Sequence, residues 1–99
     1  MDNETIVVNC RREAYDRYIG RGSPFGNPFV IGIDGDRAQV IAKYRAWFID
    51  ELKRPEFVAQ VQALRGLRLG CFCKPAGCHG DIIIEFLEKG IVDFLEGGK

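Results

Sequence analysis

A chain of 99 residues, 46% hydrophobic and 11% aromatic, has the size and composition of one small folded domain, not of a disordered or multidomain chain. Its 14 basic and 14 acidic side chains cancel, so no global field draws it to nucleic acid or to a membrane, and nucleic-acid binding needs a local patch. Met1-Asp2-Asn3-Glu4 is unlike a secretory signal, and no run approaches the roughly 20 apolar residues of a membrane span, so a cytoplasmic chain is expected. In that compartment four cysteines read as thiols or metal ligands, not as a disulfide framework.

The β-branched run Thr5-Ile6-Val7-Val8-Asn9-Cys10 predicts a buried strand, with Cys10 a small apolar side chain at its end. Arg11, Arg12, Arg17 and Arg21 outnumber Glu13 and Asp16 and form the one basic cluster of the first third. A short second strand is expected within residues 15–19. Residues 20–29, with three glycines and two prolines, predict an ordered, tightly turned loop. It lacks the lysine and spacing of a P-loop. Arg21, between Gly20 and Gly22, is its candidate anion ligand, since a guanidinium can grip a carboxylate or phosphate with two N–H groups.

Asp36 and Gln39 have capping-box spacing and open a helix whose core stripe is Ile41, Tyr44, Phe48 and Leu52, broadened by Val40 and Trp47. Pro55 starts a second helix over 56–64, with Phe57, Val61 and Leu64 on one face and Gly66 at its end. Leu67, Leu69, Cys71 and Cys73 alternate as one face of a strand. A third helix carries Ile83, Phe86 and Leu87 inward until Gly90, and an apolar tail over 91–95 packs back on the domain, followed by a frayed end at 96–99. The fold class is α/β: a single small domain in which about three helices pack on a short sheet.

Between the last strand and helix lies Gly-Cys-Phe-Cys-Lys-Pro-Ala-Gly-Cys-His-Gly-Asp, residues 70–81. Three of the four cysteines and the sole histidine fall in nine residues there, at the junction where α/β proteins place chemistry. One reading is metal: Cys71, Cys73, Cys78 and His79 make a complete set of soft ligands for Zn²⁺, with Pro75 and Gly77 easing the tight turn. Another is a reactive thiol: Cys78, at a helix N-terminus beside His79, is expected to be the most acidic cysteine, with His79 or Asp81 moving protons. The bland reading leaves the cysteines as core and His79 and Asp81 as helix-end residues.

Asn9 after the first strand, Tyr18-Ile19-Gly20-Arg21, Gly26-Asn27-Pro28-Phe29, Leu64-Arg65-Gly66, Leu69-Gly70-Cys71-Phe72-Cys73 and Cys78-His79-Gly80-Asp81 together resemble the family catalogued as domain of unknown function 4326. The resemblance spans about residues 6–88. A looser similarity, in the cysteine strand and the Cys-His helix start, is to domain of unknown function 488. The first resemblance implies a small single-domain bacterial or phage protein, with Arg21, Asn27, Cys71, Cys73, Cys78, His79 and Asp81 at motif positions. It also implies that the 20–29 loop and the Cys-His junction converge on one pocket. The expected ligand is a nucleotide or another small anion, bound by Arg21 and Asn27, with catalysis by Cys78, His79 and Asp81 if the protein is an enzyme. The alternative is a non-enzymatic, zinc-stabilised module that binds a protein or nucleic acid.

Overall fold

The strand that closes the sheet is the last one in sequence, and it inserts between the two that precede it. The computed structural model describes residues 4–74 and 76–97. Strand β1 (Ile6–Asn9), strand β2 (Arg17–Tyr18) and strand β3 (Arg68–Cys71) form a sheet of order β1-β3-β2. Both ladders are parallel, pairing Ile6 with Arg68 and Asn9 with Cys71 on one side, and Tyr18 with Gly70 on the other. All three strands therefore end at one edge, and Asn9, Tyr18 and Cys71 deliver the chain to the same place.

Helices α1 (Arg37–Glu51) and α2 (Pro55–Gln62) carry the chain from β2 to β3. The capping box forms as its spacing predicts: Asp36 Oδ1 accepts from the Gln39 N–H at 2.9 Å, and Gln39 Oε1 from the Asp36 N–H at 2.8 Å. The buried stripe of α1 is Val40, Tyr44 and Phe48, continued by Leu52. Ile41, assigned to that stripe from sequence, is only partly buried and faces the cavity described below. Pro55 occupies the first turn of α2, whose Phe57 and Val61 are buried.

Helix α3 (Gly80–Lys89) is followed after Gly90 by a fourth helix, α4 (Ile91–Gly97), which is the form taken by the apolar tail expected from sequence. Only Phe94 of that segment packs inward fully; Ile91, Val92 and Leu95 are exposed. The expected frayed end lies partly outside the described residues, at 98–99. Gly80 sits where α3 meets the sheet, and a Cβ there would stand 2.8 Å from Val7 and 2.9 Å from Ile19 side-chain atoms, so a larger residue would force those side chains to move.

The core on the helical side is aromatic. Phe48 lies at its centre, with ring centroids 5.5 Å from Phe57, 5.7 Å from Phe86 and 5.8 Å from both Tyr44 and Phe94. Three of these contacts are edge-to-face, the arrangement that ring quadrupoles favour. Arg45 of α1 grips Glu85 of α3 with two hydrogen bonds, at 3.0 and 2.6 Å, and lies 4.7 Å over the ring of Phe94. Among the described residues no helix is long and apolar enough to cross a membrane.

Candidate functional site

Cys71 is the last residue of β3, and its buried side chain extends the inward face begun by Leu69. The chain then leaves the sheet and returns at Cys78, one residue before the N-cap of α3. Three bonds hold this excursion in place. Asn9 Nδ2 donates to the Lys74 carbonyl at 2.7 Å, the Ala76 N–H to the Cys73 carbonyl at 2.8 Å, and Arg37 Nη1 to the Gly77 carbonyl at 3.0 Å. Pro75, expected to ease the turn, lies outside the described residues.

The result is a cluster of thiols. The sulfurs of Cys71, Cys73 and Cys78 all lie within 4.8 Å of one another and could hold a metal ion. Cys71 and Cys78 are buried and Cys73 is half-buried. The Cys73 N–H points at Cys71 Sγ from 3.2 Å and the Gly80 N–H at Cys78 Sγ from 3.4 Å. Such N–H donors offset part of the cost of holding negative sulfur away from water.

His79 is buried beside this cluster and is not one of the three mutually close ligands. Its Nε2 lies 2.7 Å from the Ile19 carbonyl oxygen and its Nδ1 3.5 Å from Cys78 Sγ. A carbonyl oxygen only accepts, so Nε2 carries the proton, and in the neutral ring Nδ1 turns a lone pair toward Cys78. Tyr44 packs edge-on against the imidazole, with centroids 5.0 Å apart, and fixes its plane. His79 stands at the N-cap of α3 but makes no capping bond with its side chain. Asp81, in the first turn of α3, ties back to the loop instead: its Oδ2 accepts from the Cys78 N–H at 3.2 Å while Oδ1 pairs with Lys74 at 2.7 Å.

The thiols share protons unequally. Hydrogen bonding with the neighbouring Cys78 thiol, against the cost of burial, holds the Cys71 thiol below its ordinary range. The same bond, with burial, pushes Cys78 well above it. Burial, followed by the charge on Cys71, raises Cys73. The raised Cys78 thiol runs against the expectation that the helix N-terminus lowers it.

A cavity of about 330 Å³ opens above the cluster. Cys71, Cys73, Cys78 and His79 line one side, Arg21 and Asn27 another, with Arg37, Phe29, Ile41 and Phe72 among the rest. The 20–29 loop and the Cys-His junction do meet at this cavity. Asp81 does not line it. Asn27 is occupied within its loop, accepting from the Phe29 N–H at 2.9 Å and donating to the Val40 carbonyl at 3.2 Å. Among the described residues the Arg21 guanidinium makes one long bond, to the Phe29 carbonyl at 3.4 Å, which engages one of its five N–H donors. Gly26 allows the loop to close on itself, since a Cβ there would meet the Gly20 carbonyl oxygen at 2.6 Å.

A family model described as a domain of unknown function, DUF4326, matches residues 8–89. The chain belongs to this family. It is also 41% identical over 85 residues to an uncharacterized 12.4 kDa protein in the nrdA-td intergenic region of Enterobacteria phage T4, a match covering 84% of this chain and 77% of the phage protein. No solved structure matches.

Two lining residues escaped the sequence reading. Arg37 looked like an ordinary first-turn residue of α1, and nothing local in the sequence says that its guanidinium crosses to the Gly77 carbonyl. Phe72 follows the end of β3, between Cys71 and Cys73, and lines the same cavity as they do. Cys10, expected in the core, is only half-buried.

Proposed function

We propose that this protein is a cytoplasmic zinc-binding domain whose thiol cluster forms the floor of an anion-binding cavity. One observation carries the reading: three cysteine sulfurs within 4.8 Å of one another line the same cavity as the guanidinium groups of Arg21 and Arg37. Three sulfurs form a soft donor set, which suits Zn²⁺ over Mg²⁺ or Ca²⁺. Tetrahedral zinc with sulfur at about 2.3 Å needs sulfurs roughly 3.8 Å apart, so a modest closing of the cluster meets the requirement. The two N–H···S bonds and the lowered Cys71 thiol favour the deprotonated ligands that zinc needs. His79, held through Nε2, turns Nδ1 to the cluster as a fourth ligand or as the acceptor of the Cys78 proton. A bound Zn²⁺ supplies a positive centre and Lewis acidity.

The cavity itself favours a nucleotide-like anion. Arg21 and Arg37 provide charge where the chain as a whole has none, and Phe29, Ile41 and Phe72 provide apolar area for a ring. A second reading, a metal-free thiol site, rests on the 3.5 Å contact of Cys78 Sγ with His79 Nδ1, which gives the Cys78 proton somewhere to go.

Elemental analysis of the purified chain tests the metal: about one zinc per chain is expected, lost on Cys71→Ser and on Cys78→Ser. Protein free of metal, with a melting curve unmoved by zinc or chelator, sinks the zinc reading and leaves the thiol site. Calorimetric titration with nucleoside mono- and triphosphates tests the cavity. Arg21→Ala should weaken whichever anion binds by about 10-fold or more, with little change in melting temperature. Unchanged affinity removes Arg21 from the site.

A further inference from the structure

Charge in this chain is balanced in sum and unbalanced in place. The ion pairs among the described residues engage Arg45, Lys53, Arg54, Arg68, Lys74 and Lys89. Arg11, Arg21 and Arg37 take part in none of these. Arg11 follows β1, and its guanidinium lies 4.9 Å from the ring centroid of Phe72. Phe72 follows β3 and is 52% exposed, with Tyr18 edge-on to it at 5.8 Å. The Tyr18 hydroxyl in turn donates to the Arg21 carbonyl at 3.0 Å. Phe72, Arg21 and Arg37 all line the cavity, and Arg11 extends the strip beyond it. Three guanidinium groups that form no ion pair among the described residues, and a half-exposed aromatic ring with Arg11 over it, are therefore gathered at and beside the cavity.

We propose that this surface binds single-stranded nucleic acid, with one nucleotide in the cavity, a neighbouring base on Phe72 beside Arg11, and phosphates on Arg21 and Arg37. The proposal rests on reading the cavity as an anion site and names its partner. An exposed ring flanked by arginines is a stacking platform for an unpaired base, and a duplex offers no free base face to it. A free nucleotide fills the cavity but leaves Arg11 unused. A strand uses both. The local strip supplies what the neutral total withholds.

Fluorescence anisotropy of end-labelled oligothymidylate and oligouridylate, each about 8 nucleotides long, tests this with the full chain at about 50 mM salt. Binding should weaken with salt, with a log–log slope near −2, as expected for about three phosphate contacts to a single strand. Phe72→Ala should weaken it about 5- to 150-fold and Arg11→Gln about 5-fold, while Lys53→Gln, on the remote helical side, leaves it unchanged. Circular dichroism melting of each variant confirms that the fold is retained. Equal affinity for a hairpin duplex, or no loss in both Phe72→Ala and Arg11→Gln, overturns the proposal. Free nucleotide that binds while the oligonucleotides do not overturns the proposal alone and leaves the anion cavity standing. Failure of both ligands overturns both.

Discussion

The helical side and the strand-end edge of this domain are built by opposite rules. On the helical side, charges meet charges and rings meet rings: Arg45 pairs with Glu85, Arg54 with Glu51 and Glu56, and Phe48 is surrounded by aromatic neighbours. At the strand-end edge, polar side chains bond mainly to backbone carbonyls. Asn9 holds Lys74, Arg37 holds Gly77 and His79 holds Ile19. Backbone bonding fixes loops while leaving guanidinium charge and sulfur lone pairs unspent. The first region stabilises the fold and the second keeps its chemistry available.

The largest test of that contrast is Phe48→Ala. Removing the central ring of the aromatic cluster should cost about 3–5 kcal/mol, enough to unfold most of a small domain, and chemical denaturation measures it. A loss below about 1 kcal/mol would mean that the cluster collapses around the gap and that stability resides elsewhere.

A smaller effect belongs to Glu85. The two hydrogen bonds from Arg45, helped by Lys89, hold its carboxyl down to about 2. A depressed carboxyl contributes stability above its unfolded pKa, about 4.3, and loses it as pH falls toward the folded value. Partly exposed to water, the pair contributes about 1 kcal/mol. Glu85→Gln should therefore be less stable than the parent by about that much at pH 7, with the gap closing between about pH 5 and pH 2. A gap independent of pH would make the contribution one of packing, not charge.

The smallest change in stability, and the sharpest in function, is expected at Asn9. Asn9→Ala loses one neutral hydrogen bond, about 1 kcal/mol or less, yet it frees the loop that carries Cys73. Zinc affinity, measured by competition with a chromogenic chelator, should fall about 10- to 100-fold, as for other groups that orient ligands. Unchanged zinc affinity would show that the cysteines hold their positions without the tether, and the contrast between the two regions would fail at that point.

Local rules made much of the helical side legible in advance. Asp36 and Gln39 announce α1, Pro55 opens α2, and Gly90 closes α3, each through an interaction within a few residues. The cysteine cluster was legible for the same reason, since its members are close in sequence. What required the fold was long-range. Ile19 offers its carbonyl to a histidine 60 residues away, and Arg37 reaches across 40. The coupling among the three thiols was equally hidden, because it depends on how close the fold brings their sulfurs. Ile41 packs against the core as its place in the stripe implies, and its second contact, with the cavity, is what the stripe does not show.

The position of β3 has a consequence for how the molecule assembles. β1 and β2 make no ladder with each other, and each finds its partner only in residues 68–71. No strand pairing can precede the arrival of that segment, so β1 must be joined to it across some 60 residues of chain. Pairings that distant are slow to close, while the turns of α1 and α2 form on their own much shorter timescale. These timescales predict helix first and sheet last, with Cys71, the final residue of β3, reaching the cavity wall as the sheet closes. A metal that captured the cysteines earlier would meet them on an unformed strand, and its release would then set the rate of the final step.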